Sequence, residues 1–273
     1  MVGAEADSAA GIRAAAGLAA SAAEIRAAAE RRAIGDETME QRLKELVTKL
    51  TDALGDRLVS VILYGSAAGG EHHGKFSDLN VLCVLSRVTP GELGACDPVL
   101  RWWRETGNPA PLLMTEEEVR TSTDCFAIEF HDMMERRRVL HGADVVAGLE
   151  VSQIYYRAQV EHELRTKLFR LRDKAAGSLK DSKTLTKLML DSVSTFAVLL
   201  RHAMLLSGVE VSGRKRDIVA ALPKIGVKPG AFETLLDVRE GKAKPETVQA
   251  TELFTEYLGE IETAVRHVDG LSS

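Results

Sequence analysis

The chain has 273 residues, 45% hydrophobic and 27% charged, a balance that suits a globular protein with one large core or two smaller ones. Its formal net charge of -5 argues against a dedicated nucleic-acid binder, which carries a basic excess. Cys83, Cys96 and Cys125 lack metal-ligand spacing and point to reduced thiols in a cytoplasmic setting, and no apolar run approaches the roughly 18 residues of a membrane span.

Met1 to Ala33 contains 15 alanines, which favour helix but bury little, so residues 1–37 read as a frayed or disordered extension. Glu5 and Asp7 sit where a secretory leader would be basic. From Thr38 to Leu54 the apolar residues Met39, Leu43, Leu46, Val47 and Leu50 have helical spacing, and Thr38 with Gln41 makes a capping box. Leu58 to Tyr64 is short, β-branched and followed by glycine, as in a buried strand; Leu79 to Leu85 is a second, apolar on both faces.

Gly91 to Gly107 reads as a helix broken by Asn108-Pro109, and Pro111 to Met114 as a third strand. Thr115 and Glu118 then cap a short helix to about Ser122. The alternation in Cys125 to Phe130 predicts a fourth strand, and Arg138 to Leu140 a fifth, closed by Gly142. Beyond that point only helices are expected: Ser152–Ala176, Ser182–Ser207, Asp217–Leu222, Ala231–Arg239 and Pro245–His267. An α/β part over residues 38–150 therefore precedes a helical bundle over 151–273.

The chemistry concentrates between the first two strands. Gly65-Ser66 leaves a strand into a small-residue loop, where backbone N–H groups can approach phosphate oxygens closely. Asp78 and Asn80, two residues apart at a strand start, point to the same face and can share one hard cation such as Mg2+.

A Gly-Ser pair, a gap of eleven residues and then Asp78-Leu79-Asn80 resembles the signature of the DNA polymerase beta-like nucleotidyltransferases. The layout is similar to small bacterial members, such as aminoglycoside adenylyltransferases, that carry a helical C-terminal domain. The resemblance implies an α+β fold with a mixed sheet and a following all-α bundle. It implies transfer of a nucleoside monophosphate, AMP from ATP by default, to a hydroxyl-bearing acceptor with release of pyrophosphate. In that reading Gly65 and Ser66 hold the triphosphate, Asp78, Asn80 and Glu129 hold Mg2+, and Glu129 is the general base.

Glu129 is chosen because an acid inside an apolar strand is costly unless it is paired or bound to metal. Asp124 and Asp132, nearer strand ends, are weaker candidates. Two departures from the family pattern favour an alternative, a catalytically weakened nucleotide-binding or regulatory module acting through a partner. Asn80 stands where the pattern has a second acid, and Ala67-Ala68-Gly69 replaces the loop arginines of many relatives.

Several other residues read mainly as surface or core: His72-His73, Arg136 to Arg138, Arg214 to Arg216, Trp102-Trp103, and Glu161 with Glu163. Arg201 and His202 are adjacent, which is the wrong spacing for the Arg-gap-His ribonuclease motif of helical HEPN partners. The helix Ser182–Ser207 is long enough to serve a homodimer, and the acceptor is expected between the two parts.

Overall fold

A computed structural model describes residues 37–65, 67–69 and 79–271. The alanine-rich extension lies outside the described residues. The chain divides into two compact units: one comprises residues 1–115 and 138–144, the other 116–137 and 145–273. Residues 116–137, read from sequence as part of the α/β half, thus cluster with the helical unit.

The first unit is built on a four-stranded sheet. Helix α1 (37–54) leads through a short 3-10 turn into β1 (Leu58–Tyr64). The sheet continues with β2 (Asn80–Leu85), β3 (Leu112–Thr115) and β4 (Arg137–Gly142), in the order β3-β2-β1-β4. Strands β1 and β2 run antiparallel with Tyr64 opposite Asn80, while β2 and β3 run parallel with Leu82 opposite Leu112. The sheet is therefore mixed. Between β2 and β3 the chain forms α2 (Pro90–Glu105).

One face of this sheet is covered by α1, through Leu43, Leu46 and Leu50, and by α2, through Cys96, Leu100 and Trp103. The spacing of four and three residues sets these side chains on one stripe of each helix. Helix α2 starts with a Thr89/Glu92 capping box. Glu92 is buried, and hydrogen bonds from Thr89, Arg87 and Arg57 overcome its desolvation and lower its carboxyl to about 2. Burial raises the Cys83 thiol well above its ordinary value and raises that of Cys96 too, so both remain neutral sulfhydryls in this core.

Gly142 closes β4 at φ +74, and a Cβ there would meet the Val59 carbonyl oxygen at 1.9 Å. Next to it, the Ser60 hydroxyl donates to the carbonyls of His141 (3.2 Å) and Ala143 (2.6 Å).

In the second unit, α3 (Glu116–Thr121) and α4 (Ala127–Glu135) precede five further helices. These are α5 (Gln153–Ala176), α6 (Ser182–Leu206), α7 (Lys215–Ala221), α8 (Gly230–Arg239) and α9 (Ala250–Asp269). Helix α6 is central and packs against α5, α7, α8 and α9. By length and composition it could cross a membrane, contrary to the expectation from sequence, yet Leu185, Met189, Val193, Phe196 and Leu200 are buried in this bundle.

The segment Cys125–Phe130 is not a strand. Ala127, Phe130 and Met133 recur every third residue and are all fully buried, and Ile128 widens the stripe. That period belongs to α4, and the apparent alternation covers too short a window to decide. Glu129 is therefore a helical residue.

On α9, buried Glu260 accepts the Ala231 N–H at 3.0 Å and so caps the start of α8 from across the bundle. Its second carboxylate oxygen has no partner among the described residues, and burial pushes the carboxyl up to about 7.

Two predictions follow from this packing. Gly142→Ala forces both a left-handed alanine and a backbone clash, so urea denaturation should show a loss above the about 1–3 kcal/mol of the dihedral alone. Glu260 holds its proton to about 7 when folded, against 4.5 as the ordinary value, so its contribution is full below that lower value. It is lost as pH rises through about 7. Wild-type stability should therefore fall by up to about 3 kcal/mol across this window, and the pH slope should flatten in Glu260→Gln.

Candidate functional site

The strand-turn-strand of the first unit brings Gly65 and Asn80 together. Gly65 ends β1 at φ +77, a left-handed conformation that glycine adopts freely. Its carbonyl accepts the Ala68 N–H at 3.1 Å, which closes a tight turn straight after the strand. Asn80 opens β2 directly opposite Tyr64, half-buried, with its amide nitrogen 3.4 Å from where a Gly65 Cβ would stand. The Asn80 amide thus lies against the one backbone position of the turn that has no side chain. Ser66 and Asp78 lie outside the described residues.

Glu129 belongs to the second unit. It sits half-buried in the first turn of α4, where a negative charge complements the helix dipole. Gln159 of α5 organises this helix start. Its side-chain oxygen accepts the Ile128 N–H at 2.8 Å, and its amide donates to Cys125 O at 3.2 Å and to Glu129 at 3.4 Å. Phe126, the residue before the helix, supplies no side-chain cap, so Gln159 performs that task from a neighbouring helix.

A polar cluster that sequence reasoning missed lies one turn further along α4. Arg201 and His202, adjacent on α6, both reach Asp132. Arg201 Nη1 donates to Asp132 Oδ1 at 3.0 Å and its Nη2 donates to Glu135, while His202 Nε2 stands 3.6 Å from Asp132 Oδ2. Tyr156 OH lies 2.7 Å from His202 Nδ1, and its ring stacks on His131 at 4.5 Å between centroids.

His202 is fully buried, and neither its Nε2 nor His131 Nδ1 has a hydrogen-bond partner among the described residues. Burial, and then the neighbouring His202, hold His131 below the usual imidazole value. Burial alone would raise the Asp132 carboxyl, but His202 and Arg201 outweigh it and hold it low. Burial raises the Tyr156 hydroxyl, with Asp132 adding to the effect, so it stays a neutral phenol. The sequence carried a faint signal for this cluster, a histidine and an acid side by side in an apolar segment, hidden once that segment was read as a strand.

The remaining basic and acidic candidates are engaged within their own units. Arg216 pairs with Asp237 (2.6 Å) and Glu240 (2.9 Å), and Arg138 with Glu40 (2.7 Å). Glu161 pairs with Arg157 (3.1 Å) and Arg165 (2.8 Å), and Glu163 with Lys167 (3.3 Å). Trp103 is core, its indole N–H donating to Pro109 O at 2.9 Å, and Lys49 covers the Trp102 ring at 5.0 Å. His72-His73 lies outside the described residues.

Compared with known proteins, the chain matches no family model and no curated protein sequence. Among solved structures it is similar to spectinomycin adenyltransferase AAD(9) from Enterococcus faecialis, a structure with ATP and spectinomycin. The TM-score is 0.51 at 12% identity, over 83% of this chain and 98% of that one. The chain has a nucleotidyltransferase-type α+β fold. The mixed sheet with flanking helices and the helical C-terminal region agree with the fold expected from the sequence.

The buried guanidinium makes its own prediction. Arg201→Met removes the buried guanidinium shared by the part-exposed Asp132 and Glu135 carboxylates, so chemical denaturation should show a loss of about 1–3 kcal/mol. The double variant with Asp132→Asn should recover part of it.

Proposed function

We propose that the chain is a Mg2+-dependent nucleotidyltransferase that moves a nucleoside monophosphate, AMP from ATP, to a hydroxyl-bearing small molecule and releases pyrophosphate. The observation that carries this reading is the fold likeness to an adenyltransferase solved with ATP and spectinomycin, which spans nearly all of that chain. The Gly65 turn set against Asn80 supports it locally, because it is the feature that a phosphate-gripping loop beside a cation site needs.

The donors fit the cation that the fold implies. The Asn80 carboxamide carries a hard, neutral oxygen at the start of β2. Asp78 and Asn80 would hold Mg2+; when bound it would neutralise charge on the triphosphate.

The protein's own residues do the rest. Gly65 and Ser66 would grip phosphate oxygens, so that the reacting phosphorus is held in line for attack. A general base would accept the proton of the acceptor hydroxyl as the new phosphoester bond forms.

A second reading has its own observation. An amide at position 80 brings no negative charge, and a unit charge about 4 Å from another is worth roughly 4 kcal/mol at an effective dielectric near 20. Even a fraction of that lowers metal affinity by on the order of 100-fold. The native chain would then be a weakened nucleotide-binding module acting through a partner.

Alpha-labelled ATP with Mg2+ and a panel of hydroxyl-bearing acceptors, aminocyclitol and aminoglycoside antibiotics first, separates the two. The transferase reading expects labelled product, a loss of at least about 100-fold in Asp78→Ala, and activity kept or raised in Asn80→Asp. A silent wild type with an active Asn80→Asp favours the binding module. Failure to bind ATP with either Mg2+ or Mn2+ sinks both.

A further inference from the structure

We propose that His131, Asp132 and His202 form a binding site for a single borderline d-block cation, Zn2+ in the first place, within the helical unit. This inference is independent of the nucleotidyl-transfer reading. One ring nitrogen from each histidine and a carboxylate oxygen of Asp132 lie within 4.8 Å of one another. Tetrahedral Zn2+, with bonds of about 2.0–2.2 Å to nitrogen and oxygen, needs donor atoms roughly 3.2–3.6 Å apart. The 3.6 Å between His202 Nε2 and Asp132 Oδ2 already meets that spacing.

The hydrogen bonding of His202 gives an independent argument. Its Nδ1 is engaged by Tyr156 OH at 2.7 Å. A metal-ligating imidazole donates its remote N–H to an outer partner, which fixes the tautomer and leaves the other nitrogen as a lone pair. In the tautomer with Nδ1–H toward the phenol oxygen, His202 Nε2 presents its lone pair on the Asp132 Oδ2 side, while in the other tautomer Nε2–H faces that carboxylate. Metal binding selects the first tautomer, in which the cation takes the place of the Nε2 proton between the two groups. His131 brings a second ring nitrogen into the cluster, and its Nδ1 is buried and unpartnered among the described residues. A proton satisfies one lone pair, whereas a metal ion satisfies all three donors together.

Arg201 holds Asp132 Oδ1 and, with Arg136, Glu135, so Asp132 Oδ2 is the carboxylate oxygen left facing His202. Two imidazoles and one carboxylate suit Zn2+ or Co2+ and do not suit Mg2+, which prefers an all-oxygen shell. Three protein ligands leave a fourth position, and Asp132, at 24% side-chain exposure, opens the cluster to solvent there. A water molecule or an oxygen of a small substrate would complete the shell.

The test uses tag-free, full-length protein stripped with a chelator. Titration with Co2+ should show one equivalent bound, with the visible absorption of a low-coordinate nitrogen and oxygen site. Zn2+ should displace it and excess Mg2+ should not. Zinc-edge absorption of the wild type should show imidazole and oxygen scattering without sulfur. Asp132→Asn and His131→Gln should abolish the signal. Tyr156→Phe should keep the stoichiometry and weaken affinity by about 10–100-fold, the usual effect of losing the group that orients a ligating histidine.

No uptake by the wild type overturns the proposal. So does uptake with sulfur ligands, uptake that Mg2+ displaces, or uptake unchanged in both Asp132→Asn and His131→Gln. The wild-type titration and spectrum stand even where a variant fails to fold.

Discussion

The helical unit is organised by a guanidinium that has almost no access to water. Arg201 is 5% exposed, and burying its charge is tolerable only because carboxylates receive it. Asp132 and Glu135 can both do so because they stand three residues apart, which on a helix sets them on one face. In an extended strand, residues at odd spacing point to opposite sides, and the fork of nitrogens would lose one partner. The ion-pair network therefore requires α4 to be a helix and attaches residues 116–137 to the bundle, although β3 and β4 on either side belong to the sheet. A buried ion pair adds little net stability, and its value here is selective: it stabilises one conformation of an ambiguous segment over the other.

This accounts for what could be read from the chain and what could not. Strand β1 was legible to the residue, since LVSVILY is short, β-branched and bounded by Gly65, and the alternatives all fail on length. The bundle helices were legible because periods such as Leu164, Leu168 and Leu171 persist over many turns. The segment Cys125–Phe130 has six residues, too few to separate a period of two from one of three and a half. What decided it, Gln159 capping from α5 and Arg201 reaching over from α6, lies 30 to 70 residues away along the chain. Tertiary contacts overrode local pattern.

The same distinction governs the candidate sites. Gly65 and Asn80 are separated by one loop, and antiparallel pairing of β1 with β2 brings them opposite each other almost automatically. A short-range motif of this kind survives in the sequence as spacing. His131, Asp132, Tyr156 and His202 come from three helices, and nothing in their order announces that they meet. Only the unpartnered ring nitrogens of His131 and His202, a property of the folded interior, set the cluster apart from ordinary packing.

The two sites also differ in what they can hold, and the difference follows from donor type. Around Asn80 the proposed donors, from Asp78 and Asn80, are hard oxygens, suited to a cation that keeps much of its water and bridges to phosphate. Around His202 the donors are imidazoles in a closed aromatic pocket, where Tyr156 stacks on one ring and meets the other edge-on. A hard ion gains little from such nitrogen donors, and a borderline ion gains little from the weak, neutral oxygen of an amide. On the two proposals, discrimination would come from the imidazole side: a hard ion gains little there, so a change at His131 or His202 would be felt by a borderline ion and not by Mg2+.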